Sequence, residues 1–569
     1  MGTAIWRRRW ALMCALALLL CVPVVRPWLA MGTVDDTSYA RSAQLLEQTG
    51  HIVYNGWAAP MLGWQLYWGA LFIKLFGFSF DVLRMSTLLV AMVSAFLSQR
   101  SMVRSGLTEW NATLATLTLV ISPLFVPLTF SFMTDIGGFF VLVVCFYACL
   151  RALQADSDGS ACCWIAFAAI SNAIGGTVRQ TSWLGLLIMV PSTLWLMRKR
   201  RKVLGCGLLS ILLGLLIVAG AMHWYKHQPR IFPEPIWRGP LTVNKVRNIV
   251  QIITRSLFDT VLFVLPLLLP FLPKLRWRNR NLWLGTLSGA VILSAVFFLI
   301  QRQPEAWLLP TLGPYLSEHG ALTAFAVHGM RPLLLPDAVR LVLTMLAICG
   351  VSGMFFTLRR RAVIDTHAEG VMPWRSLCLL TAPFVAAYIA LMMSRASVDM
   401  VFDRYLVPLL FVALLVMGRA YQERISRRLP RYTFVLLGLM AAFSLGATHD
   451  AFAFLRANLA AARQLEARGV PDTAIDAGWE FNSWTALQTS GYLLPFERGN
   501  SFPDWWPALT NAPCLPGYAE SLPGFHPKYT LTSVPDGCGG QIGIPPVHYR
   551  QWLGRHDQTV YIVASDRPH

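Results

Sequence analysis

The stretch Arg198 to Met222, RKRRKVLGCGLLSILLGLLIVAGAM, sets five consecutive basic residues before twenty uncharged, mostly apolar ones. Twenty such residues wound as α-helix rise about 30 Å, the thickness of the hydrocarbon core of a bilayer. A short Lys/Arg cluster at the end of an apolar run marks the cytoplasmic side of a membrane span. Outward from this stretch the pattern repeats. Apolar runs lie near 10–30, 82–100, 107–127, 138–153, 161–177, 183–197, 203–222, 251–272, 282–300, 336–358, 376–394, 404–418 and 432–447. Further basic clusters fall at Arg7–Arg9, Lys274–Arg280, Arg359–Arg361 and Arg419–Arg431. The expected fold is an all-α polytopic membrane protein of about thirteen transmembrane helices, entering from the cytoplasm, with a small mixed α/β domain at the C-terminus.

Composition supports this class. Charged residues make up 14% of the 569, against about 25% in soluble globular chains, and hydrophobic residues make up 55%. An ordinary soluble enzyme and an intrinsically disordered chain are both excluded. A net charge of +19 raises the question of a nucleic-acid partner. Residues 448–569, however, carry 8 Lys/Arg against 11 Asp/Glu, so the positive excess lies among the spans. It reads as topology, and no nucleic-acid partner is expected. Arg7–Arg9 and the run Ala11–Val25 resemble a signal peptide, but Trp28 occupies the −3 position before Met31, so the first span is read as uncleaved.

The segment Met61–Phe78, MLGWQLYWGALFIKLFGF, decides the topology. As a span it would invert every later basic cluster. As an interfacial helix, which its Trp64, Tyr67, Trp68 and Lys74 suit, all the clusters stay inside. The second reading gives a transmembrane domain over 1–447, with a long first outer loop at 31–81, and an extracytoplasmic soluble domain over 448–569. In a bacterial inner membrane that domain is periplasmic. Helical apolar spacing from Phe452 is stopped at Gly469 and Pro471, and Thr559–Val563 reads as a strand. Cys514 and Cys538 are the two cysteines of the tail, and in an oxidising compartment they form an expected disulfide.

Carboxylates are costly inside a bilayer, so acids at span ends invite individual readings. Asp35 and Asp36 follow the first span directly, and Asp135 sits at the outer mouth of the fourth. Each has an ordinary reading as a helix N-cap. Each also fits a cavity on the outer face, where two converging carboxylates supply a general base and its partner. Arg179 and Arg404 fall at outer span ends; they are either snorkelling arginines or donors to a phosphate, whose oxygens suit a planar guanidinium. Asp403 is expected to pair with a neighbouring arginine.

The run Asp35-Asp36-Thr37-Ser38-Tyr39-Ala40 resembles the acidic first-loop motif of the GT-C superfamily of integral-membrane glycosyltransferases. The closest likeness is to the family 39 group, which includes protein O-mannosyltransferases and lipid A aminoarabinose transferases. It continues through Gly50–Asn55, Lys74–Gly77, Leu83–Arg84, Thr134–Asp135, Arg179–Thr181 and Arg404–Pro408. The resemblance implies a hexosyl- or pentosyltransferase that takes its sugar from a polyprenyl-phosphate-linked donor to an extracytoplasmic acceptor, with inversion. It implies catalytic roles for Asp35, Asp36 and Asp135, and donor-phosphate contacts from Arg179, Arg404 and Tyr405. His449, Asp450 and Glu480 resemble motif positions of a bacterial subgroup and are acceptor-side candidates. No cofactor or metal is expected. The rival readings are a transporter or flippase for a lipid-linked sugar and a non-catalytic assembly protein.

Overall fold

The computed structural model describes residues 2–231, 240–274, 287–292, 311–322 apart from 314, 333–358, 372–396, 401–494, 522–534, 539–554 and 557–565, with a few isolated positions besides. Helices dominate. In chain order they are α1 (Gly2–Val25), α2 (Asp36–Thr49), α3 (Gly63–Phe76), α4 (Phe80–Arg104), α5 (Glu109–Val120), α6 (Phe125–Thr129), α7 (Thr134–Leu153), α8 (Asp158–Gly175), α9 (Val190–Leu196), α10 (Arg201–Lys226), α11 (Val243–Phe263), α12 (Leu265–Leu268), α13 (Asp337–Leu358), α14 (Trp374–Ala396), α15 (Val407–Arg424), α16 (Thr433–Glu466) and α17 (Trp479–Thr489). The chain is a polytopic helical membrane protein with a small C-terminal sheet.

Eight helices among the described residues are long and apolar enough to cross a bilayer, or nine if the pair bent by 68° at Val264 counts as one span. The thirteen expected spans are thus not all matched by helices of spanning length. The run near 107–127 divides because Ser122 precedes Pro123, which disfavours helix, so α5 ends at Val120 and α6 begins at Phe125. The run near 183–197 opens as a 3-10 turn at Gln180–Trp183 and a π turn at Gly185–Met189 before α9. Pro191 in the first turn of α9 removes the N–H that an unbroken α-helix would need there. The run near 282–300 lies largely outside the described residues.

The segment that decides the topology is the 14-residue α3. At about 1.5 Å per residue it is roughly 21 Å long, too short for a bilayer of about 30 Å. One side is pinned to the bundle, where Gln65 Nε2 donates to Phe132 O at 2.8 Å and Trp68 Nε1 to Ser86 O at 3.1 Å. The other side exposes Tyr67, Leu71, Leu75 and Phe76.

The sheet is built from β3 (Ile475–Asp476), β4 (Tyr529–Thr532), β5 (Gly539–Gln541), β6 (Val547–Arg550) and β7 (Asp557–Ser565), while β1 (Leu316–Ser317) and β2 (Gly320–Ala321) form a separate hairpin. β7 contains the expected strand at 559–563. It pairs antiparallel with β4, β5 and β6, and β3 joins β4 in parallel. The division expected after residue 447 falls in the middle of α16, a single 34-residue helix. The span therefore continues without a linker into the segment on which the sheet packs. Leu531, Val560 and Ile562 belong to the same buried apolar cluster as Cys14 and Leu18 of the first span.

His449 and Asp450 make that packing specific. Asp450 accepts the backbone N–H of Trp552 at 2.7 Å and of Leu553 at 2.9 Å, and the His449 ring stacks on Trp552 at 3.8 Å. A Cβ on Gly446, one turn earlier, would meet Leu553 Cγ at 2.6 Å. Replacing Asp450 by Ala leaves two backbone donors unpaired, which costs about 1–3 kcal/mol each when they are buried. Asp450→Ala is expected to speed proteolysis of the chain beyond residue 530 and to lower the thermal midpoint in detergent. An unchanged cleavage pattern would show that the sheet is held by other contacts.

Candidate active site

The loop that follows α1 is held by Arg84. This guanidinium stands near the start of α4, 2% exposed. It donates to Leu29 O at 2.7 Å, to Pro27 O at 3.4 Å and to Met31 O. Asp81 accepts from Arg84 at 2.9 Å and from the Leu29 N–H at 3.0 Å. A buried arginine with this many acceptors fixes the backbone that leads into Thr33–Asp36.

Asp36 then folds that backbone. Its carboxylate accepts Thr33 N at 2.5 Å, Thr33 Oγ1 at 2.8 Å and Phe132 N at 3.1 Å, and it is 1% exposed. Burial pushes its carboxyl above the usual carboxylate range, against the pull of Arg84 and these donors. A Cβ at Gly32 would lie 2.4 Å from Thr37 Cγ2 and 2.6 Å from Asp36 Oδ1, so the loop closes only with glycine there. Asp36 ties the first loop to the entrance of α7.

Asp35 is placed differently. It occupies the N-cap position of α2, yet its side chain makes no capping hydrogen bond. Oδ1 accepts Trp57 Nε1 at 2.9 Å, and Oδ2 faces Arg404 Nη2 at 3.4 Å. Its side chain remains 18% exposed. Asp135 lies in the first turn of α7, where a helix N-terminus favours negative charge. Its Oδ1 accepts from Arg179, its Oδ2 lies 3.8 Å from Arg404 Nε, and its side chain is 2% exposed. One guanidinium, that of Arg404, therefore stands between the two carboxylates that sequence places 100 residues apart.

Aromatic rings wall the arginines in. The Arg404 guanidinium carbon lies 4.5 Å from the Phe402 ring, 5.2 Å from Tyr315 and 5.7 Å from Tyr405; that of Arg179 lies 4.3 Å from Tyr405. Such cation–π stacking holds a guanidinium while leaving its in-plane donors for an anion. Among the described residues Asp403 does not form an ion pair with an arginine side chain. It accepts the backbone N–H of Leu316 at 2.7 Å, of Arg404 at 2.8 Å and of Tyr315 at 3.2 Å, and so clamps the loop that carries Tyr315. Asp135 Oδ2 and Arg404 Nε are buried and make no hydrogen bond among the described residues. At 3.8 Å they are too far apart to bond each other, so each keeps room for a polar ligand.

Asp35, Asp135, Arg179, Arg404 and Tyr405 thus come together. Asp36 lies beside them in a structural position. Glu480, in the first turn of α17, reaches the first loop, where its Oε1 accepts Val34 N at 3.2 Å. His449 and Asp450 are used in docking the chain at Trp552. Cys514 and Cys538 lie outside the described residues. Sequence reasoning missed Trp57, Tyr315 and Phe402. A loop tryptophan with a buried indole needs an acceptor, but nothing in the sequence says that the acceptor is Asp35.

No family model and no curated protein matches this chain. Among solved structures it is similar to ArnT from Cupriavidus metallidurans bound to undecaprenyl phosphate, at 13% identity over 80% of this chain and 72% of that one, with a TM-score of 0.41. It is also similar to the archaeal oligosaccharyltransferase AglB from Archaeoglobus fulgidus in complex with an inhibitory peptide and a dolichol-phosphate, at 14% identity over 82% and 58%, with a TM-score of 0.40. A more partial likeness is to the S. cerevisiae protein O-mannosyltransferase Pmt1-Pmt2 complex bound to the sugar donor, at 12% identity over 39% and 33%, with a TM-score of 0.29.

The two neighbouring acids should separate in a simple comparison. Asn at position 36 turns an NH2 group toward a donor that the carboxylate accepts, so Asp36→Asn is expected to lose about 1–3 kcal/mol of stability. Asp35→Asn, at the more exposed side chain, should lower the thermal midpoint less than Asp36→Asn does. Thermal unfolding in detergent reads both, and a stable Asp36→Asn protein would contradict the structural role.

Proposed function

We propose that this chain is a GT-C-type glycosyltransferase that moves a hexose or pentose from a polyprenyl-phosphate carrier to an acceptor hydroxyl on the extracytoplasmic face. The observation that carries this reading is the Arg404 guanidinium set between Asp35 and Asp135. A carboxylate that reaches water and a pair of arginines suited to a phosphate stand within one cluster. The motifs of the first and second outer loops supply the same residues in the same order.

The chemistry follows from the placement. The lipid lies in the bilayer, its phosphate reaches the outer rim, and the acceptor arrives from water. Asp35 takes the proton of the acceptor hydroxyl as that oxygen attacks the anomeric carbon. The bond from this carbon to the phosphate oxygen breaks, and its electron pair leaves with the polyprenyl phosphate. Arg404 and Arg179, stacked on Tyr405, face the charge that develops on the leaving phosphate. A single displacement inverts the anomeric centre. Asp135 is the weaker base candidate because it is buried and already met by both arginines; it orients them.

The positive-inside distribution supports setting the cluster on the outer side. In a bacterial cell the N-terminus then lies in the cytoplasm and residues 448–569 in the periplasm.

Incubating the purified protein in detergent with a radiolabelled polyprenyl-phosphate sugar tests the reading. General-base loss typically costs about 10²–10⁴-fold, so Asp35→Asn should lower turnover by that order while the protein stays folded. Near-normal turnover by that variant removes Asp35 from the role. Donor handling that requires a sealed vesicle would favour a transporter.

A further inference from the structure

The residue before Asp35 has an unusual backbone. Val34 is buried, β-branched, and has φ = +57°, a conformation that L side chains rarely adopt. The Asp36 N–H donates to Thr33 O at 3.3 Å, and Asp35 has φ −87° and ψ −3°. A four-residue turn with positive φ at its first central position only has the φ pattern of type II′, where glycine is the usual residue. Here valine fills that position, although Gly32 lies only two residues away. The turn sets the direction in which Asp35 leaves the backbone.

A strained turn persists only where its surroundings hold it. Besides the bonds from Thr33 to the Asp36 carboxylate within the turn, holding contacts come from one short helix of the C-terminal segment. Glu480 Oε1 accepts the Val34 N–H at 3.2 Å, from a side chain in a residue only 2% exposed. Ser483 Oγ and Thr37 Oγ1 lie 2.8 Å apart. The Trp479 ring lies 4.2 Å from that of Trp57, whose indole N–H donates to Asp35 Oδ1. Glu480 and Ser483 are one turn apart on α17, so the helix presents both to the first loop together.

We infer that Glu480 is a positioning residue for Asp35: by holding the Val34 N–H it keeps the left-handed turn that aims the carboxylate at Arg404 and the acceptor. This rests on the proposed role of Asp35. It assigns the C-terminal segment a part in building the site, in place of the acceptor contact that the motifs suggest for Glu480. A carboxylate is suited to the task because a charged acceptor makes the stronger hydrogen bond to a backbone N–H.

The test uses the full-length protein in detergent and the same donor assay, with Glu480→Ala, Glu480→Gln, Val34→Gly and the double variant Val34→Gly/Glu480→Ala. Small misplacement of a reacting group costs up to about 10²-fold, so Glu480→Ala should lower kcat by about that much with little change in KM for the donor. Glu480→Gln keeps a carbonyl acceptor and should fall between Glu480→Ala and the wild type. Glycine adopts positive φ freely, so Val34→Gly in the double variant should recover most of the lost kcat. Where Glu480→Ala does not fold, the same comparison runs on Glu480→Gln with and without Val34→Gly. The inference is overturned if folded Glu480→Ala keeps wild-type kcat, or if Val34→Gly restores nothing. Asp35→Asn assayed alongside separates the two levels. An inactive Asp35→Asn with an unaffected Glu480→Ala defeats only the positioning role; an active Asp35→Asn defeats the base assignment and this inference with it.

Discussion

A guanidinium removed from water needs compensation from anions and hydrogen-bond acceptors close at hand. At Arg404 the compensation comes from Asp35 and Asp135 together, and neither alone surrounds the charge. Oδ2 of Asp35 faces one terminal nitrogen, and Oδ2 of Asp135 lies near Nε. The first outer loop, the entrance of α7 and the turn before α15 are therefore drawn to one point. Arg179 adds a second positive charge on the far side of Asp135. Two acids and two arginines leave the cluster close to neutral, which is how four ionisable groups tolerate the rim of a bilayer. An anionic ligand would compete for the same arginines and so couple its own binding to the freedom of the carboxylates.

The scaffold that delivers Asp35 to this point comes from two directions. From the membrane side, Arg84 gathers the carbonyls of Pro27, Leu29 and Met31, and Phe452 of α16 lies 5.4 Å from its guanidinium carbon. From the other side, α17 presses Glu480, Ser483 and Trp479 on Val34, Thr37 and Trp57. Because α16 runs unbroken from its span into the C-terminal segment, these two supports are mechanically linked. The loop is clamped between helices that belong to one buried core.

Much of this was legible in the sequence, and the reasons are physical. Bilayer thickness sets the length of an apolar run, so the helical class and most span positions could be read directly. Acids at span ends are expensive enough to be conspicuous, which singled out Asp35, Asp36 and Asp135, whereas Glu480 stood out only by its likeness to a motif. The division of labour between Asp35 and Asp36 was not legible. Adjacent residues at the start of a helix point about 100° apart, and only the fold says that one meets Thr33 and Phe132 while the other meets Trp57 and Arg404. The continuity of the helix across 447 was not legible either. A helix that leaves the membrane changes composition without changing conformation, so the shift toward polar residues at Thr448–Asp450 gives no sign that α16 runs on through it.

The same logic orders the two carboxylates. A general base must be reachable by its substrate from the water side. Asp135 is nearly sealed and has an arginine at each oxygen, so protonating it would break the ion pairs that keep Arg179 and Arg404 in register. Asp35 is the more exposed, bound on one oxygen by a neutral indole and on the other by a longer contact to Arg404. Taking up a proton there weakens only that longer contact. In the proposed transfer this would coincide with the growth of negative charge on the phosphate, leaving Arg404 free to turn toward the leaving group. Under that proposal the asymmetry of burial between two chemically identical side chains assigns the base role to Asp35 and the ordering of the arginines to Asp135.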